Sequence, residues 1–423
     1  MSEPRNAPAA EQPAGAGELP FNPADPALQA NPYPAYRLLR DAFPALQGPH
    51  NVWLISRYED VEALLRDRRL GKDFSNSTFF EQITGAEGDD PLPFLGVDDL
   101  DAKLFMLTDP PEHTRLRGLV AQAFTPATIT ALRESVAEIV DELLGELPER
   151  FDIMDRLATP LPIRVLGTML GIPEEDRERF TLWTREIAAL LDFDTVLTPE
   201  QSKARRVAVA ECTGYFVELA TRRDGTEGDD IVSQLVRARD EGSALTTHEI
   251  AASCLLIVVA AQETFSNLIG NAALVFARHP EALAHLADDP KTTDATINEI
   301  LRLEPPAHQV GRIALEEVEL HGKTIKPGEA VILMVGSANR DERVFTDPDT
   351  FLLDREGPGH LSYSRGIHYC LGGPLATMMA REALLGLATR ITSLELADKD
   401  VTFKPGSTGL RGPAQLPLVV TKR

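Results

Sequence analysis

Between Thr246 and Pro280 lies the stretch that most constrains how this chain can fold. Thr246-x-x-Glu249 has the form of a capping box, and Pro280 directly after His279 is a stop signal. The intervening stretch, about 33 residues, makes roughly 50 Å of helix, enough to cross a whole domain. Its middle is apolar nearly all round, which marks a helix enclosed by other elements rather than laid on a surface. Enclosing it takes a large core, and 423 residues, 43% of them hydrophobic, can supply one. Its longest apolar run, Leu255 to Ala261, is far short of a membrane span.

Around this segment the pattern is mostly helical, with a minority of strand. Helical periodicity is read at Pro32 to Ala42, Tyr58 to Arg66, Pro111 to Phe124, Thr128 to Leu147, Pro173 to Leu191, Pro199 to Arg223 and Pro374 to Ile391. Strand-like pieces fall at Asn51 to Ser56, Ile313 to Leu320, Ala330 to Met334 and Leu416 to Val420. Length alone suggests two or three domains, but nothing reads as a linker, so residues 22–423 are expected to form one domain. Residues 1–21, rich in Ala, Pro, Gly and Glu, are predicted to be a disordered tail without a signal peptide or anchor. The stretch from Gly71 to Ala102 loses periodicity, and a long irregular loop inside a compact domain is usually functional or disordered.

Charge and cysteine content narrow the function. With 42 basic and 65 acidic residues the net charge is −23, which repels nucleic acid and anionic lipid. Cys212, Cys254 and Cys370 are spaced for neither a disulfide framework nor a zinc site, which fits a reducing, cytoplasmic setting. Cys370 alone has a chemical context, in His360-Leu-Ser-Tyr-Ser-Arg-Gly-Ile-His-Tyr-Cys370-Leu-Gly-Gly-Pro374. Gly366 lets the chain turn before the cysteine, and Gly372 and Gly373 remove side chains where a flat cofactor would approach. A helix then begins, whose free N–H groups and positive end favour a thiolate. A lone cysteine is more often inert core. In isolation, the acid and alcohol of Ala260-Ala-Gln-Glu-Thr264 would likewise read as a satisfied polar pair.

The cysteine segment resembles the haem-binding loop of the cytochrome P-450 superfamily, Phe-Gly-x-Gly-x-His-x-Cys-x-Gly. Gly366, His368, Cys370 and Gly372 match, while Tyr363 and Ser364 stand where the family has Phe and Gly. Ala260-Ala-Gln-Glu-Thr264 is similar to the family's Ala-Gly-x-Glu/Asp-Thr, with Ala261 in place of Gly. The resemblance implies a mainly α fold with a small β portion, a triangular helical prism around heme b (iron protoporphyrin IX). On it, Cys370 would ligate the iron, Thr264 would hydrogen-bond dioxygen and Glu263 would feed a proton relay. Asp109-Pro-Pro-Glu-His113-Thr-Arg-Leu-Arg117 sets His113 and Arg117 on one helix face, at the spacing of the family's propionate-binding helix; Arg312 and His368 match further propionate contacts. Arg115 lies off that face and reads as solvated. Glu299-Ile-Leu-Arg302 resembles the family's Glu-x-x-Arg helix, with Arg355 expected to complete a structural ion network.

The reaction so implied is insertion of one atom of O2 into a small apolar or amphiphilic substrate, as hydroxylation or epoxidation. The expected role is tailoring a bacterial polyketide or peptide. Electrons would come from NAD(P)H through a ferredoxin and its reductase docking near Arg365, because no spare length or Gly-rich fingerprint suggests a fused redox domain. A monomer is expected. Substrate choice is expected from Gly71 to Ala102 (Phe79, Phe80, Phe94 and Leu95 as an apolar lid), Leu190 to Thr198, Val258 and Ala261, and the stretch after Pro306. A peroxide-driven fatty-acid hydroxylase, or a haem-binding protein without turnover, is the alternative.

Overall fold

In the computed structural model the described residues are 20, 26–78, 102–188, 198–240, 243–404 and 409–423. The expected tail falls outside them but for residue 20, as do Phe79, Phe80, Phe94, Leu95 and residues 189–197. The central helix is Thr247–Arg278, and its cap closes reciprocally: the Glu249 N–H donates to Thr246 Oγ1 at 3.2 Å, and the Thr246 N–H to Glu249 Oε2 at 2.7 Å. Its length and composition would suit a membrane span, yet 83% of its most apolar window is buried inside the protein. The helices Pro199–Arg223, Pro160–Met169, Thr293–Leu303 and Gly373–Ala388 and the π-helical turn Met154–Ala158 all pack on it. Each fully buried aliphatic or aromatic side chain, such as Leu255, Ile269 or Phe276, contributes about 1.5–3 kcal/mol.

The β portion is small and sits to the side. A five-stranded sheet runs in the order Ala45–Gln47, Trp53–Ile55, Ala330–Leu333, Val310–Ala314, Leu70–Gly71, with one parallel pairing, between Trp53–Ile55 and Ala330–Leu333. Gly71 pairs with Ile313, which brings the start of the irregular loop beside Arg312. A second sheet joins Ile391–Leu396, Pro417–Lys422 and Arg150–Asp152, and a short hairpin pairs Thr402–Phe403 with Pro413–Gln415. The sheet residues have their own apolar cluster, around Trp53, Ile55, Val331 and Phe345.

The sequence pattern and the structure differ in instructive places. The expected strand from Ile313 to Leu320 is two strands, Val310–Ala314 and Val318–Leu320, which pair with different neighbours. The helix expected from Pro173 starts as the 3-10 turn Glu174–Asp176 and continues as Arg177–Ile187. Pro160–Met169 and Pro280–Asp288 are helices that the apolar pattern did not announce; each opens on proline in its first turn, where the missing N–H costs nothing.

Candidate active site

The cysteine loop is built by two left-handed residues. Gly366 has φ +70°, and a Cβ there would come within 2.9 Å of the Leu65 carbonyl oxygen, at the end of helix Tyr58–Arg66. Ser364 has φ +62°, so this chain keeps with a serine a conformation that glycine adopts without strain. The Cys370 N–H donates to the Tyr363 carbonyl at 2.9 Å, and helix Gly373–Ala388 begins three residues after the cysteine. Backbone N–H groups of Gly372 and Gly373 and the charge of Arg117 act on the sulfur to favour thiolate, while burial, the larger effect, pushes the thiol up. Coordination by a metal cation is the interaction that deprotonates such a sulfur outright. Tyr363 satisfies its hydroxyl on Thr377 Oγ1 at 3.1 Å, and burial pushes its phenol up to about 12. Cys212 and Cys254 are fully buried, and burial raises both thiols.

His113 and His368 gather a cluster of buried nitrogens, several of them without a hydrogen-bond partner among the described residues. The rings of His113 and His368 are 4.2 Å apart, centre to centre. Both ring nitrogens of His113, Nε2 of His368 and Nη2 of Arg312 are buried with no hydrogen-bond partner among the described residues. Burial, with the neighbouring cations, holds both imidazoles below their usual range, and burial lowers Arg312 to about 10. Arg117 reaches the Tyr369 carbonyl and is also lowered by burial. Orphaned buried donors of this kind need an explanation, and a ligand with ionised carboxylates supplies one. A Cβ on Gly372 would meet nothing within 4 Å, so space remains beside the cysteine. The residues present therefore fit a haem: a sulfur ligand, open space beside it and a donor cleft for its two propionates.

Lys72, which the sequence reading missed, belongs to the same cleft. Burial and then Arg312 lower its ammonium to about 7. Nothing in the spacing marked it, because it sits at the edge of the aperiodic loop. Arg115 corrects an expectation, since it is half-buried and paired rather than simply solvated. It pairs with Glu112 at 2.6 Å and with Glu249, joining its helix to the first turn of the central helix. A helical wheel cannot show a neighbour that lies 134 residues away.

On the central helix every residue from 250 to 276 is buried except Ala260, Ala261 and Thr264. Their spacing places them on one face, which opens the enclosed helix at a single point. Thr264 Oγ1 donates to the Ala260 carbonyl at 2.7 Å, the back-bond that bends helices locally. Glu263, 6% exposed, lies 3.4 Å from Lys404 Nζ in the loop after the hairpin strand Thr402–Phe403.

The structure brings Glu299, Arg302 and Arg355 together. Arg302 contacts both carboxylate oxygens of Glu299 at 2.8 Å, and Arg355 Nε lies 2.9 Å from Oε1. Remaining guanidinium hydrogens go to the carbonyls of Asn339, Pro348, Thr346 and Thr350, so the residues ahead of the cysteine loop are hung on one buried carboxylate.

A half-buried sulfur at a helix start, a buried donor cluster that suits carboxylates and a central helix opened at one point together define a haem-thiolate oxygenase. Residues 41–403 match the family model described as Cytochrome P450, and the chain belongs to that family. It is 37% identical to the cytochrome P450 monooxygenase PikC of Streptomyces venezuelae, over 92% of this chain and 91% of that protein. With the polyketide biosynthesis cytochrome P450 PksS of Bacillus subtilis it shares 34% identity, over 96% and 100%. Among solved structures, P450 RauA in complex with a biosynthetic intermediate of aurachin RE superposes with TM-score 0.87 at 42% identity, covering 95% of this chain and 98% of that one. The chain is accordingly a haem-thiolate monooxygenase with the mainly α fold of that family, acting with O2 on an organic substrate and drawing on redox partners.

Proposed function

We propose that this monooxygenase tailors a secondary metabolite of polyketide or peptide type, by hydroxylation or epoxidation of an apolar or amphiphilic molecule. The observation that carries the reading is the opening of the central helix: two alanines and one hydroxyl face outward from an otherwise enclosed apolar rod. Such a wall accepts hydrocarbon and presents one polar group to the reaction. Relatives with antibiotic and polyketide roles support the substrate class, among them 6-deoxyerythronolide B hydroxylase of Saccharopolyspora erythraea.

In this reading Cys370 ligates the iron, while His113, Arg117, Arg312 and His368 hold the propionates. Gly366 turns the loop, Gly372 leaves room for the macrocycle, and Ala261 lines the oxygen side. When bound, haem supplies the iron that activates O2 and passes one of its atoms to substrate. The chain's own contribution is proton supply and geometry. Thr264 Oγ1 carries a hydroxyl proton at the opening, and Glu263 moves protons toward it from the direction of Lys404. Glu299, Arg302 and Arg355 fix the wall behind the sulfur.

Electrons come from NAD(P)H by way of a reductase and a small ferredoxin, docked on the cysteine-loop face. Ile367 and Tyr369 are 44% and 43% exposed there, with Arg133 and Arg365 on the same face. An apolar centre with arginines nearby, on a chain of net charge −23, suits a small acidic partner. Residues 22–423 act as one domain, as a cytoplasmic monomer. The test is the spectrum of reduced protein under carbon monoxide: a long-wavelength Soret band supports thiolate ligation, and haem-loaded, folded protein without it excludes it. Product formed with hydrogen peroxide but not with ferredoxin, reductase and NADPH would favour the peroxide-driven alternative.

A further inference from the structure

The donor cleft carries an imbalance of charge that the four expected propionate residues do not explain. Asp109 and the cations Lys72, Arg117 and Arg312 all act on His113, and the same three cations act on His368. Three cations thus stand around one carboxylate, and the other anionic group acting there, the Cys370 sulfur beside Arg117, is reserved for the iron in the reading above. Asp109 is also engaged by the main chain: its oxygens accept the Lys72 N–H at 2.7 Å and the Asp73 N–H at 3.1 Å. That contact needs the missing side chain of Gly71, where a Cβ would come within 2.4 Å of Asp109 Oδ2.

Strand register explains how Lys72 gets there. Leu70 pairs with Ala314 and Gly71 with Ile313, and the same register continued one residue past the strand's end would set Lys72 opposite Arg312, whose charge acts on it. Residues opposite one another in an antiparallel pair project to the same face, and like charges so placed destabilise the pair. Two cations on one face, with their shared carboxylate occupied by backbone, are an arrangement that an external anion completes. Counting only lysine, arginine and Asp109, the cluster without Lys72 has one cation in excess; with Lys72 it has two, one for each propionate.

We infer that Lys72 is a further haem-binding residue of this chain, its ammonium supplying the second positive charge for the propionate pair. The inference rests on the haem-thiolate reading above and adds to it a cation outside the expected set. Burial and then Arg312 weaken proton binding at Lys72, the Asp109 carboxylate strengthens it, and a propionate would act in the same sense as Asp109.

The experiment uses purified holoenzyme. Wild type, Lys72→Met and Lys72→Arg are mixed with excess apomyoglobin and the rate of haem transfer is followed; resonance Raman spectra of the same samples record the propionate bending modes. Lys72→Met is expected to release haem roughly tenfold faster or more, the size of one lost charge-assisted hydrogen bond, with a shifted propionate band. Lys72→Arg should restore both. Transfer rates and propionate bands identical in wild type and a folded Lys72→Met would overturn the assignment while leaving thiolate ligation intact. A wild-type chain that holds no haem would overturn both. A faster rate with an unshifted band would assign Lys72 to the fold alone and also overturn it.

Discussion

Lys404 Nζ stands 3.4 Å from Oε1 of Glu263, joining a partly exposed lysine at the end of a C-terminal hairpin strand to a carboxylate buried on the central helix. The two are 141 residues apart. A carboxylate so enclosed stays ionised only if partnered, so the lysine bears on whether Glu263 can hold and release a proton. Lys404→Met is expected to cost about 1–3 kcal/mol in the wild-type background and markedly less when Glu263 is already Gln. Lys404 is 30% exposed, and solvent screening places the value at the lower end. A double-mutant cycle by denaturant unfolding measures the difference, and coupling below about 0.3 kcal/mol would show that the pair does not act as one.

Thr264 is the one hydroxyl among the three residues at the opening of the central helix. Thr264→Ala keeps the helix, since alanine is the better helix former, and removes the proton donor. The mutant is expected to go on consuming NADPH while product per NADPH falls on the order of tenfold or more. Thr264→Ser should retain most of the coupling. Tight coupling in the alanine variant would leave Thr264 with a structural role only.

Ser364 combines φ +62° with a buried Oγ that has no hydrogen-bond partner among the described residues. Both features cost stability, and glycine removes both. Ser364→Gly is therefore expected to raise stability by about 1 kcal/mol, read as an increase in the unfolding midpoint of the holoenzyme. A lower midpoint would mean that the hydroxyl has a partner once haem is bound.

Glu299 accepts from Arg302 and Arg355 at once and is 5% exposed. Glu299→Gln leaves two buried guanidinium groups without their anion. Losing one partner of a buried network typically costs about 3–5 kcal/mol. The expected outcome is a steep loss of folded, haem-loaded protein on expression, with Arg355→Lys intermediate because an ammonium cannot replace the fork that reaches Thr346 and Thr350. Wild-type yield and midpoint in Glu299→Gln would remove the network from the account of stability.

What the sequence made legible depended on how far apart the interacting residues lie. The central helix was readable because its cap, its apolar middle and its stop are local. Tyr58–Arg66 and Pro199–Arg223 fall where the periodicity put them for the same reason. Cys370, His113 and Glu299 were readable because each sits in a short motif of fixed spacing. Lys72, Lys404 and the Glu249 partner of Arg115 were not, since strand register and helix packing between distant segments make those contacts. The split strand after Ile313 failed on a different ground. Glu316-Glu317 interrupt the alternation, a local signal, and the strand breaks there.

His308 shows the same limit and gives the last prediction. It follows Pro305-Pro306, is 2% exposed, and shares Nδ1 with the Tyr36 hydroxyl at 3.0 Å, while Nε2 has no partner among the described residues. Nearby Glu304 gathers Arg340, Arg411 and Arg278, so the surroundings are cationic. Burial first, then Arg411 and Arg340, hold the imidazole well below its usual range. A histidine with a lowered folded-state pKa costs nothing while both states are neutral. As pH falls below about 6.5 the unfolded chain takes up a proton that the folded chain refuses, so folding weakens by up to about 1.4 kcal/mol per pH unit for this one group. Histidine NMR on the diamagnetic ferrous carbonyl form should find His308 still neutral where a free imidazole is already charged, with stability declining from about pH 6.5 downward. An imidazole titrating near 6.5 in the folded protein would remove His308 as a source of that acid sensitivity and would mean that water reaches Nε2 beside Tyr36.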